Sequence, residues 1–266
     1  MKPYYETELG KLYHGDCLEI MPHLEPVDLV LTSPPYDNLR TYGGHGFEFE
    51  PVANGIKRAL KIGDVCVWVV GDETKNGCES LTSFKQAIYF VYNCGLNLHD
   101  TMIYYKNSPP LTHKRYEQHF EYMFVFLNGE LITFNPILER KLYHDKRTQK
   151  SVRREKDGTS DIGFASQKTT KIKGNVWRYN IGGGHVTKDK IAYEHPAIFP
   201  EQLAQDHILS WSNEGDTVMD TMAGSGTVAK MAERLNRRWI GIEIEEKYCA
   251  IAKQRIENER KQRKLF

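Results

Sequence analysis

Ser33, Pro34, Pro35 and Tyr36 follow directly on an apolar stretch, Val27–Thr32. A tight turn needs one proline at most. Two in succession remove two amide donors and restrict φ, which holds a main-chain carbonyl in one direction. With a hydroxyl on one side and an aromatic ring on the other, the group suits a flat ligand. A second candidate stands far along the chain. Gly224 and Gly226 separate a strand-like stretch ending near Asp220 from a helical pattern starting near Thr227. Glycine there lets the backbone turn sharply and lets a ligand lie against it, close to the free amides of a helix start. Glu243 ends the next strand-like stretch, where a carboxylate can accept two hydrogen bonds from ribose hydroxyls. A third glycine and the Lys-Ser/Thr of a phosphate loop are both missing. That argues for a nucleoside ligand without a phosphate chain.

These groups need a scaffold. Strand patterns fall at 11–15, 27–32, 65–70, 98–105 and 122–127, with helical patterns at 17–24, 51–61 and 81–94. After His195 come a helix at 200–211, a strand at 216–222, a helix at 226–235, a strand at 239–244 and a long charged helix at 247–263. Alternation of this kind predicts an α/β layer fold with a largely parallel sheet.

The chain has 266 residues and a net charge of only +1, so the whole molecule is no polycation. The charge is uneven. Residues 139–190 hold 14 Lys/Arg against 6 Asp/Glu, an excess of +8 that leaves −7 for the rest. The same stretch carries Trp177, Tyr179 and the glycines 182–184. It reads as a cationic surface for a polyanion, the plainer alternative being a solvated linker. Cys17, Cys66, Cys78, Cys94 and Cys249 are scattered, without a C-x-x-C pair, and read as reduced thiols in a cytosol rather than as zinc ligands. No apolar run reaches the length of a membrane span, and the polar first residues do not read as a signal peptide.

"TSPPY" at 32–36 and "DTMAGSGT" at 220–227 together resemble the amino-group DNA methyltransferases that use S-adenosylmethionine. The catalytic motif comes first, the basic stretch next and the cofactor glycines last, an order similar to the β class of that family. "HGDCLEIMPHL" before the first motif, "HFEYMFVFLNG" at 119–129 and "HPAIFPEQL" at 195–203 resemble further family segments. The chain departs from the family at Thr221-Met222, where Pro-Phe is usual, and at Ala197 and Phe199, where Thr and Lys are usual.

The resemblance implies a Rossmann-like methyltransferase fold: a mostly parallel seven-stranded sheet with helices on both faces, plus a small irregular basic insert. The catalytic half would be 1–134, the target-recognition insert 135–192 and the cofactor half 193–266. It implies transfer of a methyl group from S-adenosyl-L-methionine, leaving S-adenosyl-L-homocysteine, to the exocyclic amine of an extruded base, without a metal. Ser33 and a main-chain carbonyl at Pro34-Pro35 would accept the amine hydrogens, and Tyr36 would stack on the base. Asp16, His195, Pro196, Asp220, Met222, Ala223, Gly224, Gly226, Thr227 and Glu243 would hold the cofactor. Arg40, Arg140, Lys141, Arg147, Arg153 and Arg154 would meet double-stranded DNA. A second copy of the chain and a separate restriction endonuclease are further candidate partners, in a prokaryotic or phage setting. In the family, Ser-Pro-Pro-Tyr tends to accompany cytosine N4, the reading favoured here over adenine N6. A silent DNA-binding module and an RNA methyltransferase are competing readings. Cytosine C5 chemistry lacks its usual Pro-Cys nucleophile in this chain.

Overall fold

The computed structural model describes residues 1–35, 46–107, 115–141, 150–164, 169–182, 184–198 and 200–263, with backbone alone at 150–153, 161–164 and 263. The chain divides into one unit of Met1–Asn135 with Asn175–Phe266 and a second of Pro136–Gly174.

The first unit contains strands β1 (Tyr5–Glu6), β2 (Gly10–His14), β3 (Val27–Thr32), β4 (Leu60–Val70), β5 (Thr74–Lys75), β6 (Cys78–Glu79), β7 (Asn97–Lys106) and β8 (Phe120–Leu127). The second unit holds β9 (Leu138–Arg140), β10 (Lys150–Arg154), β11 (Ser160–Phe164) and β12 (Thr170–Ile172). The first unit resumes with β13 (Val176–Tyr179), β14 (Thr217–Asp220) and β15 (Arg238–Glu243). Its helices are α1 (Cys17–Ile20), α2 (Phe49–Ala59), α3 (Thr82–Tyr92), α4 (Glu201–Trp211), α5 (Thr227–Arg234) and α6 (Glu246–Arg263).

The main sheet runs β1-β2-β15-β14-β3-β4-β8-β7-β13, with β1 and β8 antiparallel to the rest. It therefore has nine strands, not the expected seven. The two additions are edge strands of two and four residues, too short to give a clear period in the sequence. β3 and β4 bury nearly every side chain, which is why they read as continuous apolar runs. Val30, Cys66, Trp68, Phe124 and Phe126 share a core with Ile56 of α2 and Phe90 of α3. Met123, on the opposite face, lies 3.2 Å (Sδ) from His207 Nε2 of α4. Helices thus cover both faces, as the sequence leads one to expect.

β13 corrects one inference from composition. Trp177 and Tyr179 are buried: the Tyr179 hydroxyl donates to Asp206 at 2.8 Å, and Trp177 packs against His207 with ring centroids 4.7 Å apart. They are core residues, not rings free to stack on a polyanion. The Pro136–Gly174 unit is also more regular than its composition suggests. It pairs β9 with β12 and β10 with β11, both antiparallel. Its 11 Lys/Arg against 5 Asp/Glu concentrate an excess of +6 in that unit. Among the described residues no helix is long and apolar enough to cross a membrane.

Candidate active site

Five strands release the chain at one end of the sheet: β2 at Gly15-Asp16, β3 at Ser33, β4 at Gly71-Asp72, β14 at Thr221 and β15 at Ile244. All five exits line a single cleft of about 1200 Å³. Open α/β sheets bind ligands in this crevice at the carboxyl ends of the strands.

Two distant segments meet here because β3 and β14 are neighbours, with Val218 opposite Leu29 and Met219 opposite Val30. The Thr32 hydroxyl donates to Asp220 Oδ1 at 2.8 Å, the Met222 amide donates to the same oxygen at 3.1 Å, and the Thr221 hydroxyl lies 3.2 Å from that of Thr32. Ser33 is thus one peptide bond from a group held by Asp220. Asp220 Oδ2 has no hydrogen-bond partner among the described residues, and the residue lines the cleft. Burial pushes the Asp220 carboxyl up to about 7, against the two hydrogen bonds that favour its charge and with repulsion from Glu243 adding to the rise.

Glu243 straps the glycine turn. Its Oε2 accepts from the Gly224 amide at 2.7 Å and its Oε1 from the Glu245 amide at 2.9 Å, and burial raises its pKa. Gly224 and Gly226 both have positive φ, +50° and +74°. Gly224 faces the cleft beside the His195 ring, whereas Gly226 is the one residue of the expected cofactor set that lies off it. A Cβ on Gly226 would come within 2.6 Å of Ala252 Cβ and 3.0 Å of its Cα. Gly226→Ala is therefore expected to cost about 2–4 kcal/mol, combining left-handed strain with overpacking. A thermal melt lowered by several degrees checks it.

The remaining expected residues are distributed as follows. Asp16 lines the cleft and caps α1, with Oδ1 accepting from the Leu18 amide at 2.8 Å. His195, Pro196, Met222, Ala223 and Thr227 line the cleft, with His195 packed edge-on against Tyr248 at 4.2 Å between centroids. Tyr36, Arg40 and Arg147 lie outside the described residues. Arg140, Lys141 and Arg154 belong to the second unit, and Arg153 is described there by its backbone in β10.

The sequence reading missed a buried ion cluster behind the turn. Arg255 of α6 is fully buried. Its Nη1 donates to the Ser225 carbonyl at 2.7 Å, the Ser225 hydroxyl at 2.9 Å and the Thr227 hydroxyl at 3.0 Å. Its Nε and Nη2 pair with Asp189 at 3.0 Å and Glu201 at 2.8 Å. Lys230 of α5, also buried, reaches the same two carboxylates at 2.7 and 2.8 Å. The signal was in α6: Tyr248, Ala252, Arg255 and Glu259 fall on one helical face, so Arg255 occupies a core position.

The lining is acidic. Its described residues include Asp16, Glu48, Asp72, Glu121, Asp220, Glu243 and Glu245 but a single lysine, Lys106, and no arginine. Such a site repels a polyphosphate and favours a cation.

Comparison with known proteins agrees with this geometry. The N6/N4 methylase family model, described as DNA methylase, matches residues 27–254. The orphan methyltransferase M.BamHII of Bacillus amyloliquefaciens is 49% identical over 250 residues, covering 92% of this chain and 91% of that one. The cytosine-N4-specific PvuII DNA methyltransferase superposes with a TM-score of 0.71 at 21% identity, over 96% of this chain and 88% of that one. M1.HpyAVI in complex with SAM superposes with a TM-score of 0.59 at 21% identity, over 92% and 99%. At those identities the two superpositions speak for the fold. The family match, joined to a cleft built from both motifs, carries the conclusion: this chain belongs to the N6/N4 DNA methylase family and is a DNA amino-methyltransferase.

Proposed function

We propose that the chain transfers a methyl group from S-adenosyl-L-methionine to N4 of cytosine in double-stranded DNA. The carrying observation is the hydrogen bond from Thr32 to Asp220, which puts Ser33 and the glycine turn in one acidic cleft. The residues present suit that cofactor. Gly224 leaves room where a Cβ would crowd His195, Glu243 retains lone pairs for ribose hydroxyls, and Asp220 Oδ2 offers a charge to an ammonium. When bound, the cofactor supplies a methyl group on a positively charged sulfur.

The chain's own part is mostly positioning. The Ser33 hydroxyl and the carbonyl fixed at Pro34-Pro35 accept the two amine hydrogens and turn the nitrogen lone pair toward the methyl donor. Tyr36 stacks on the extruded ring, a contact of about 1–3 kcal/mol. Little base strength is required, because an amine that has gained a methyl group as a cation is itself acidic. The basic segment is the DNA-facing surface in this reading, with Arg140, Lys141, Arg153 and Arg154 mainly on phosphates. Its placement within the 135–192 stretch and the serine at position 33 support a DNA target and cytosine, respectively.

Incubation with labelled S-adenosylmethionine and duplex DNA, RNA or free nucleosides, followed by digestion and mass analysis, tests this directly. N4-methylcytosine from DNA is the expected product. N6-methyladenine would replace the cytosine reading with the adenine one, and label in RNA alone would overturn the DNA assignment.

A further inference from the structure

Lys106 stands out in an acidic cleft as the one lysine or arginine among the described lining residues. It is the last residue of β7, and its backbone is fixed: its amide donates to the His119 carbonyl at 2.6 Å, and its own carbonyl lies 3.0 Å from His119 Nδ1. Its ammonium pairs with Glu121 Oε1 at 2.9 Å, with both side chains less than one-fifth exposed. Glu121 lines the cleft too, and sits opposite Tyr104 in the register of β8 with β7.

The pair lies at the same end of the sheet as Ser33, three strand steps away along β3-β4-β8-β7. At about 4.8 Å per step that is roughly 14 Å across the strands, and the register, which carries the row of Thr32 through Trp68 and Phe124 to Thr101, sets Lys106 four residues, roughly 13 Å, further along the strand direction than Ser33. The two backbones then stand roughly 19 Å apart, the span of an extended lysine stem, a pyrimidine ring held end to end by one hydrogen bond at each side, and a serine side chain. An exposed ion pair would contribute little to stability, and this one keeps two charges partly out of water inside the substrate cleft.

We propose that Lys106, aimed by Glu121, is a specificity-determining residue that donates to O2 of the extruded cytosine. The inference rests on the cytosine reading above. Ser33 and the Pro34-Pro35 carbonyl present acceptors, which match the N4 amine at one end of the ring. The far end of the same edge of cytosine carries O2, an acceptor, with N3 lying between it and the amine. An ammonium has three donors and no acceptor, so it complements that edge. Adenine placed by its N6 amine offers N1 and then a C2–H, which has no lone pair. The ammonium would lose water there without gaining a partner, a penalty that favours cytosine.

The test compares wild type with Lys106→Met and Lys106→Arg on unmethylated mixed-sequence plasmid DNA under single-turnover conditions. Products are identified as nucleosides by mass. S-adenosylmethionine affinity is measured by calorimetry, and DNA affinity is followed from 50 to 200 mM salt. Lys106→Met should lower N4-methylcytosine formation about 10- to 100-fold, with cofactor affinity and salt slope unchanged, and Lys106→Arg should recover part of the rate. Should Lys106→Met fail to fold because Glu121 is left unpaired, the Lys106→Met/Glu121→Gln double variant restores neutrality and reads the same loss. A full rate in the folded variant overturns the role. So does a salt slope reduced by about one, which marks a phosphate contact, or a loss of cofactor affinity. A wild type that makes N6-methyladenine overturns the cytosine reading and this role with it, whereas N4-methylcytosine from wild type with a full-rate variant overturns the role alone.

Discussion

Asp220→Ala is expected to lower methyl transfer by about 10²- to 10³-fold while the protein stays folded. The substitution removes a charge that faces the cleft and the acceptor that ties the end of β14 to Thr32, next to Ser33. Asp220→Asn separates the two effects. It keeps an oxygen for Thr32 and Met222 but carries no charge, so a loss shared by both variants measures the charge. Initial rates with labelled cofactor, beside a thermal melt, make the comparison. Full activity in either variant would count against the site.

Acidity adds a second readout. The folded-state pKa of Asp220, about 7, lies above its ordinary 3.8. Stability from this group is therefore fully present below about pH 4 and lost as pH rises through 7, a swing on the order of 4 kcal/mol. Asp220→Asn should abolish that swing, so the variant gains on wild type as pH rises. Cofactor binding runs the other way. A cation needs the ionised carboxylate, so wild-type affinity should weaken below pH 7 and that of Asp220→Asn should not.

Arg255→Met should be the most destabilising single change, by about 3–5 kcal/mol. It leaves Asp189 and Glu201 buried with Lys230 as their remaining cation of this pair, and strips three hydrogen bonds from Ser225 and Thr227. At roughly 2–4 °C per kcal/mol for a chain of this size, the melting temperature should fall by about 10 °C. Because Ser225 adjoins the glycine that faces the cleft, the cofactor KM should rise as well. A melt unchanged within 2 °C by roughly the scale of a surface substitution would show that the cluster is not structural. Burial alone would raise Asp189 and Glu201, but hydrogen bonds from Lys230 and Arg255 to Asp189, hydrogen bonds from Lys230 and Thr187 to Glu201, and the charges of Lys230 and Arg255 hold both below the usual carboxylate range. Their contribution is present above the ordinary carboxylate pKa and is lost as the pH falls through the lowered values. Wild type should therefore lose part of its advantage over Arg255→Met in acid.

What could be read from the residues alone follows from how local each signal is. β4 declared itself by an unbroken apolar run, and the turn at Gly224–Gly226 by its place between a strand and a helix. Both are short-range patterns. Arg255 showed only in its place on one face of α6, and Lys230 was opaque, because a charged helical residue ordinarily faces water and the partners Asp189 and Glu201 that justify burying both lie far away in sequence. β13 was hidden in a basic stretch, where two inward aromatics in four residues look like an interleaved binding surface. Lys106 and Glu121 look unremarkable on separate strands, and acquire meaning through the register that sets those strands side by side.

The pairing of β3 with β14 also bears on how the protein is made. Val27–Thr32 is synthesised early, yet one of its flanks waits for Thr217–Asp220, nearly two hundred residues later. During translation it is an uncovered hydrophobic edge, the kind of surface on which nascent chains stick together. Asp28 tempers that hazard: it pairs with Lys61 at 2.6 Å and, once β14 arrives, also accepts the Thr217 amide at 2.8 Å. Closing so long a loop is slow. The pocket is accordingly among the last parts of the molecule to exist, and a chain interrupted before residue 217 has neither cofactor turn nor finished sheet.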